Sequence, residues 1–166
     1  MVKPIVQYPD PALRTVSKEI GIISDSIREL AQDLIDTLNH SDTGVGLAAN
    51  QIGVTKRIIA VRVAGNVSRN HLLAKPVVMI NPAIRMGAGE ETDTEGCLSS
   101  PGVVVNVKRH RYLHLNYTDL DGNVKLKVFN NMDARIIQHE IDHLNGICLP
   151  DKENYAEIGR ASCRER

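Results

Sequence analysis

The apolar residues of the chain change their period several times, and each change marks a predicted element. Ile27, Leu30, Ala31, Leu34, Ile35 and Leu38 recur at three- and four-residue intervals, the spacing of one buried helical face, and predict a helix over residues 24–40. Ser26 with Glu29 fits a capping box at its start. Ahead of it, Pro4, Pro9 and Pro11 predict an extended, turning entry. The period then shortens. Val- and Ile-rich runs at 57–63 and 77–80 read as strands, with a polar loop at 64–75 between them and a second flexible connection at 87–93. A β-branched run at 103–107 and an alternating segment at 111–117, with Leu113, Leu115 and Tyr117 on one face, continue the pattern. Asp121-Gly122 is a hairpin signal. Beyond it Val124, Leu126 and Val128 alternate with Lys125 and Lys127, predicting a strand with one wet face. The helical period returns over 132–145, with Gly146 placed to cap it. Helix, mostly antiparallel strands, helix is the order of an α+β fold, with an N-terminal scaffold helix and a C-terminal helix that carries the chemistry.

Length and charge narrow this further. At 166 residues the chain fits one core, expected over residues 1–150, with a short tail over 151–166. Residues 159–166 show no amphipathic pattern and are expected to be frayed or non-native. Twenty acidic residues balance twenty basic ones, so no net field draws nucleic acid or an anionic membrane. No stretch is long and apolar enough to span a bilayer, and the first residues lack a secretory or transit pattern, which predicts a cytoplasmic protein. Cys97, Cys148 and Cys163 are odd in number and widely spaced, a poor disulfide framework; a ligand or catalytic role for one of them is the better expectation.

The second helix contains His139-Glu140-Ile141-Asp142-His143, an H-E-x-x-H motif. At about 100° per residue, His143 lies only about 40° around the helix from His139, so both imidazoles reach one ion. Glu140 sits beside that pair, close enough to touch a water on the ion without ligating it. Met132 and Ile136 share the histidine sector, Ile137, Ile141, Leu144 and Cys148 form a core stripe, and Arg135, Gln138, Asp142 and Asn145 gather on a polar face. The third ligand is less directly given. Leu149 stands where a metzincin has its third histidine, and Glu153, Glu157 and Glu165 lie in a tail without a helical pattern. An upstream sulfur fits better: Cys97, in Glu95-Gly96-Cys97-Leu98-Ser99, has small or polar neighbours, and a thiolate with two imidazoles leaves the open position of a catalytic metal. Two other readings stay open. One is a zinc endopeptidase with a carboxylate ligand; the other is a structural zinc site closed by Cys97, His139, His143 and Cys148.

Three motifs in order, 44–51 (Gly-Val-Gly-Leu-Ala-Ala-Asn-Gln), 95–99 (Glu-Gly-Cys-Leu-Ser) and 139–143, resemble the peptide deformylase family over residues 5–149. The resemblance implies hydrolysis of the N-formyl group from formylmethionine at the start of newly made polypeptides. It implies one divalent ion on Cys97, His139 and His143, Fe²⁺ foremost, with Zn²⁺, Ni²⁺ or Co²⁺ able to substitute. Glu140 would be the general base and acid, and Gln51 with the Leu98 backbone N–H would hold the oxyanion. Val45 and Gly46 would pair with the substrate backbone, and Gly96, Met132 and Ile136 would line the pocket. Glu95 would support the ligands from behind. Two departures qualify it. Residues 101–107 lack an Arg that some members use to steady the peptide, and the chain stops short of the long C-terminal helix by which many bacterial members meet the ribosome, so docking by that route is not expected. His40, His71, His110 and His114 match no motif and are expected to be solvated or strand-face residues.

Overall fold

The computed structural model describes residues 1–64 and 70–152. Residues 65–69 of the polar loop and the tail residues 153–166, with Glu153, Glu157 and Glu165, lie outside that range. The first long element is α1 (Asp25–His40), which buries Ile27, Leu30, Ala31, Leu34 and Leu38, the stripe its periodicity dictates. Its N-cap is Ser24, without a side-chain capping bond; Ser24 Oγ is hydrogen-bonded to Ser26 Oγ instead, so the expected box of Ser26 and Glu29 does not form. The chain then enters one five-stranded sheet of β1 (Gly46–Ala48), β2 (Ile58–Val61), β3 (Val77–Cys97), β4 (Ser100–Thr118) and β5 (Val124–Asn130), in that spatial order and antiparallel throughout. The final helix, α2 (Asn131–Leu144), ends at Asn145, followed by Gly146 at φ +76, where an added Cβ would stand 2.5 Å from the Arg14 carbonyl oxygen.

Two apolar clusters flank the short strands. One joins α1 to Leu47, Ala49, Ile58, Ala60, Val78 and Ile80. The other joins Ala134, Ile136, Ile137, Ile141 and Leu144 of α2 to Ile59, Val61, Met79, Leu113, Leu115 and Tyr117. The alternation of β2 and β3 sends neighbouring residues to opposite helices, so both faces of this part of the sheet are covered. α2 is thereby clamped against β1, β2 and β4.

Three further expectations need correction. Residues 87–93 are not a loose connection: they belong to β3 and pair with β4 from Gly87↔Leu113 to Asp93↔Val107, forming a long ribbon whose outer residues are solvated. β5 turns its apolar row the other way from that expected of a half-buried strand. Leu126 and Val128 lie opposite Asn116 and His114, on the outward side of β4, so Val124, Leu126 and Val128 are exposed. His71 is only partly solvated and not on a strand; it lies in a 3₁₀ turn with Nε2 2.7 Å from Asp133 Oδ1. His110 and His114 do occupy the outward face of β4, as expected.

Candidate active site

α2 and the β3–β4 turn meet at one end of the sheet. Cys97 closes β3 opposite Ser100, and this tight turn points its thiol at the helix: Sγ lies 3.3 Å from His143 Nε2. His139 stands one turn before His143, ring centroids 5.0 Å apart. One donor atom from each of Cys97, His139 and His143 falls within 4.8 Å of the other two. A thiolate and two imidazoles at that separation suit a four-coordinate ion with one position left over. Cys148 is not part of this group. It is buried elsewhere, with Sγ directed at the Leu13 carbonyl at 3.6 Å, and burial pushes its thiol up to about 11.

The side of α2 away from the core stripe is polar in sequence yet buried in the fold. Glu95, on β3, contacts His139 Nδ1 at 2.8 Å and accepts from Arg109 Nε and Nη2 at 2.9 and 2.8 Å, and from Arg135 Nη1 at 2.7 Å. Arg109 also donates to Asp142, and Arg135 to the Val107 and Glu91 carbonyls. Burial alone would raise the Glu95 carboxyl; the bonds from Arg109 and His139 overcome it and hold the group well below the ordinary carboxylate range. With Nδ1 engaged, His139 presents Nε2 to the site. Burial works against protonated His139, but its bonds to Cys97 and Glu95 win and raise it to about 10. His143 goes the opposite way, kept neutral by burial first and the neighbouring His139 second.

Glu140 is buried, and its Oε1 has no hydrogen-bond partner among the described residues. Burial pushes its carboxyl up to about 7. β1 passes directly over it: a Cβ at Gly46 would come within 2.6 Å of Glu140 Oε2, so only glycine lets the strand approach this closely. Gln51 sits in the 3₁₀ turn Ala49–Ile52 with its amide orientation fixed. Oε1 accepts from the Ala48 N–H at 2.9 Å, leaving Nε2 to donate to Ser99 Oγ at 3.0 Å and face Cys97 Sγ at 3.7 Å.

These groups open onto a cavity of about 560 Å³. Val45, Gly46, Gln51, Glu95, Gly96, Cys97, Leu98, Met132, Ile136, His139 and Glu140 all line it, and His143 lies behind its wall. No motif marks Arg109 or Arg135 as supports of this site. One signal was available: Arg109 falls in phase with Val105 and Val107 on the inward side of a strand, a charge where the alternation calls for an apolar residue. Val103 and Val104, also unassigned to the site, form part of the cavity wall.

An H-E-x-x-H helix, an adjoining thiol and a buried carboxylate opening on one cavity define the class: a metal-dependent hydrolase. The chain belongs to the polypeptide deformylase family, which it matches over residues 2–157. It is 42% identical over 152 residues to a peptide deformylase of Dictyoglomus thermophilum, covering 92% of this chain and 93% of that one. Two solved structures are similar. The peptide deformylase of Ehrlichia chaffeensis is 35% identical with a TM-score of 0.83, over 100% of this chain and 98% of that one. A class I type b peptide deformylase of Acinetobacter baumannii, bound to Met-Ala-Ser, is 31% identical with a TM-score of 0.81, over 92% and 98% of the two chains. As a member of this family the protein removes the N-formyl group from newly synthesised polypeptides.

Proposed function

We propose that Cys97, His139 and His143 hold a single divalent cation and that Glu140, Gln51 and the Leu98 backbone N–H carry out deformylation beside it. The observation that carries this reading is the approach of the three donors to within 4.8 Å of one another, with Glu140 buried alongside and facing the same cavity. Fe²⁺ is the proposed ion, with Zn²⁺, Ni²⁺ or Co²⁺ as substitutes. Bound there, it would supply Lewis acidity and lower the pKa of water at the open position.

The protein's own groups do the rest. Glu140 takes the proton of the attacking water and returns it to the leaving amine, a shuttle suited to a carboxyl that burial lifts toward neutrality. Gln51 Nε2, already aimed toward the thiol by the Ala48 anchor, donates with the Leu98 N–H to the oxygen on which negative charge develops. Glu95 keeps the His139 ring in one tautomer, and Arg109 and Arg135 keep Glu95 ionised. β1 is an edge strand, so an extended peptide can add beside it. Val45 turns its carbonyl to the Arg62 N–H at 2.8 Å, toward β2; strand alternation then leaves Gly46 as the residue whose backbone groups face the incoming chain. Met132 and Ile136 wall the methionine pocket, and Gly96 narrows the space beside the formyl carbon. The Met-Ala-Ser held by the Acinetobacter baumannii relative begins with the residue that deformylation leaves free.

Metal analysis tests the ligand set. Cys97→Ala is expected to lose most of its metal, whereas Cys148→Ala keeps a full equivalent. Equal loss in both would return the four-ligand structural site to consideration.

A further inference from the structure

His139 and His143 are oriented by different means. The His139 ring is held through Nδ1 by Glu95, but His143 Nδ1 is buried and has no hydrogen-bond partner among the described residues. The direction of the His143 ring is therefore set by packing and by its own backbone. That backbone is held from outside the helix. The His143 carbonyl accepts the Gly146 N–H at 3.0 Å and, at 2.6 Å, Nδ2 of Asn50. Asn50 is wholly buried, and its amide oxygen meets no hydrogen-bond partner among the described residues. What the side chain contributes is its donor.

The next residue reaches the other way. Gln51 contacts Ser99 and Cys97, so one 3₁₀ turn grips both metal-facing segments: the β3–β4 turn through Gln51 and the end of α2 through Asn50. A neighbouring clamp provides an internal comparison. Arg57 Nη1 donates to the Leu144 carbonyl at 3.1 Å, one residue along; the second donor to that oxygen, the Ser17 N–H at 2.8 Å, comes from a distant segment, whereas the second donor to the His143 carbonyl, Gly146, belongs to the helix's own end.

We propose that Asn50 is a positioning residue for the metal site: by fixing the peptide that follows His143, it keeps the imidazole aimed at the position shared with Cys97. This rests on His143 being a ligand, as proposed above. Groups that hold a ligating ring directly typically change metal affinity or activity about 10–100-fold when lost, and a bond that aims the ring through its own peptide is expected to act at the lower end of that scale. The test is the rate at which a chelator removes Ni²⁺ or Co²⁺ from the loaded full-length protein, together with the thiolate charge-transfer absorption of the Co²⁺ form. Asn50→Leu, and Asn50→Ala where added bulk prevents folding, is expected to speed metal loss about 10-fold or more, shift that absorption, and lower kcat while KM for a formyl-Met peptide stays within about two-fold. Arg57→Gln is expected to lower Tm yet leave metal loss near the wild-type rate. Wild-type rates in the Asn50 variants would overturn the proposal. Equal acceleration by Arg57→Gln would also overturn it, because any loosening of the helix end would then suffice. His143→Ala separates the two claims. A full metal equivalent in that variant would sink the ligand assignment itself, whereas its loss beside unchanged Asn50 variants would sink only the positioning role.

Discussion

Gly46 and Glu140 are matched to one another, because the glycine leaves only enough room for the carboxylate it passes. Gly46→Ala would place a Cβ 2.6 Å from Glu140 Oε2, so strand or carboxylate must shift. Overpacking of this kind costs about 1–3 kcal/mol, and kcat/KM is expected to fall by about 5- to 150-fold with metal content unchanged. Retained activity would mean that the carboxylate tolerates displacement. Glu140→Gln removes the carboxylate proposed as proton shuttle and keeps its shape; it is expected to bind metal as the wild type does and to lose about 10²-fold or more in turnover of a formyl-Met peptide. A variant turning over at the wild-type rate would exclude Glu140 as the shuttle. At this scale the sequence was most informative, because two histidines and a glutamate at fixed helical spacing carry their own geometry. It was silent on Asn50 and Ser99, polar residues whose partners come from segments far along the chain.

Elements owe their positions to contacts that local patterns do not display. Residues 87–93 look like a linker because glycines and charges break the alternation, yet pairing with β4 makes them strand; hydrogen bonds between backbones do not require an apolar side chain. β5 shows the converse, a clean alternation whose apolar side faces solvent, because an edge strand takes its face from its neighbour's register. The polar side of α2 is buried because β3 and β4 supply it with Glu95 and Arg109. That buried cluster has a measurable signature. Removing one partner from a buried ion pair costs about 3–5 kcal/mol, so Glu95→Gln is expected to be destabilised by that order in denaturant unfolding near neutral pH. The sign with pH follows from the depressed Glu95 carboxyl. Its stabilisation is fully present above the unfolded carboxylate value, about 4.3, and is lost as pH falls toward the lower folded value. The gap in stability between wild type and Glu95→Gln should therefore narrow below about pH 4. A gap that stays constant into acid would show that Glu95 contributes by shape and not by charge.

Over the whole molecule, three segments distant in sequence converge because α1, the sheet and α2 pack as successive layers. β1 and its 3₁₀ turn lie between the helices, and the β3–β4 turn folds onto the end of α2. The α+β order and the three motifs were legible in the sequence, whereas the cavity that unites them exists only through pairing across the sheet. The small residues of its lining argue for a narrow acyl pocket beside the proposed metal position: a formyl carbon bears only hydrogen, while an acetyl group must fit a methyl beside Gly46 and Gly96. The most direct measurement is kcat/KM of the Fe²⁺- or Ni²⁺-loaded protein on matched formyl-Met, acetyl-Met and internal-amide peptides, with formate and free amine quantified together. The expected result is equal formate and free N-terminal methionine from the formyl peptide, with the acetyl peptide at least about ten-fold slower. Comparable rates on formyl and acetyl peptides would contradict the narrow pocket, and internal cleavage without formate would contradict deformylation by this site.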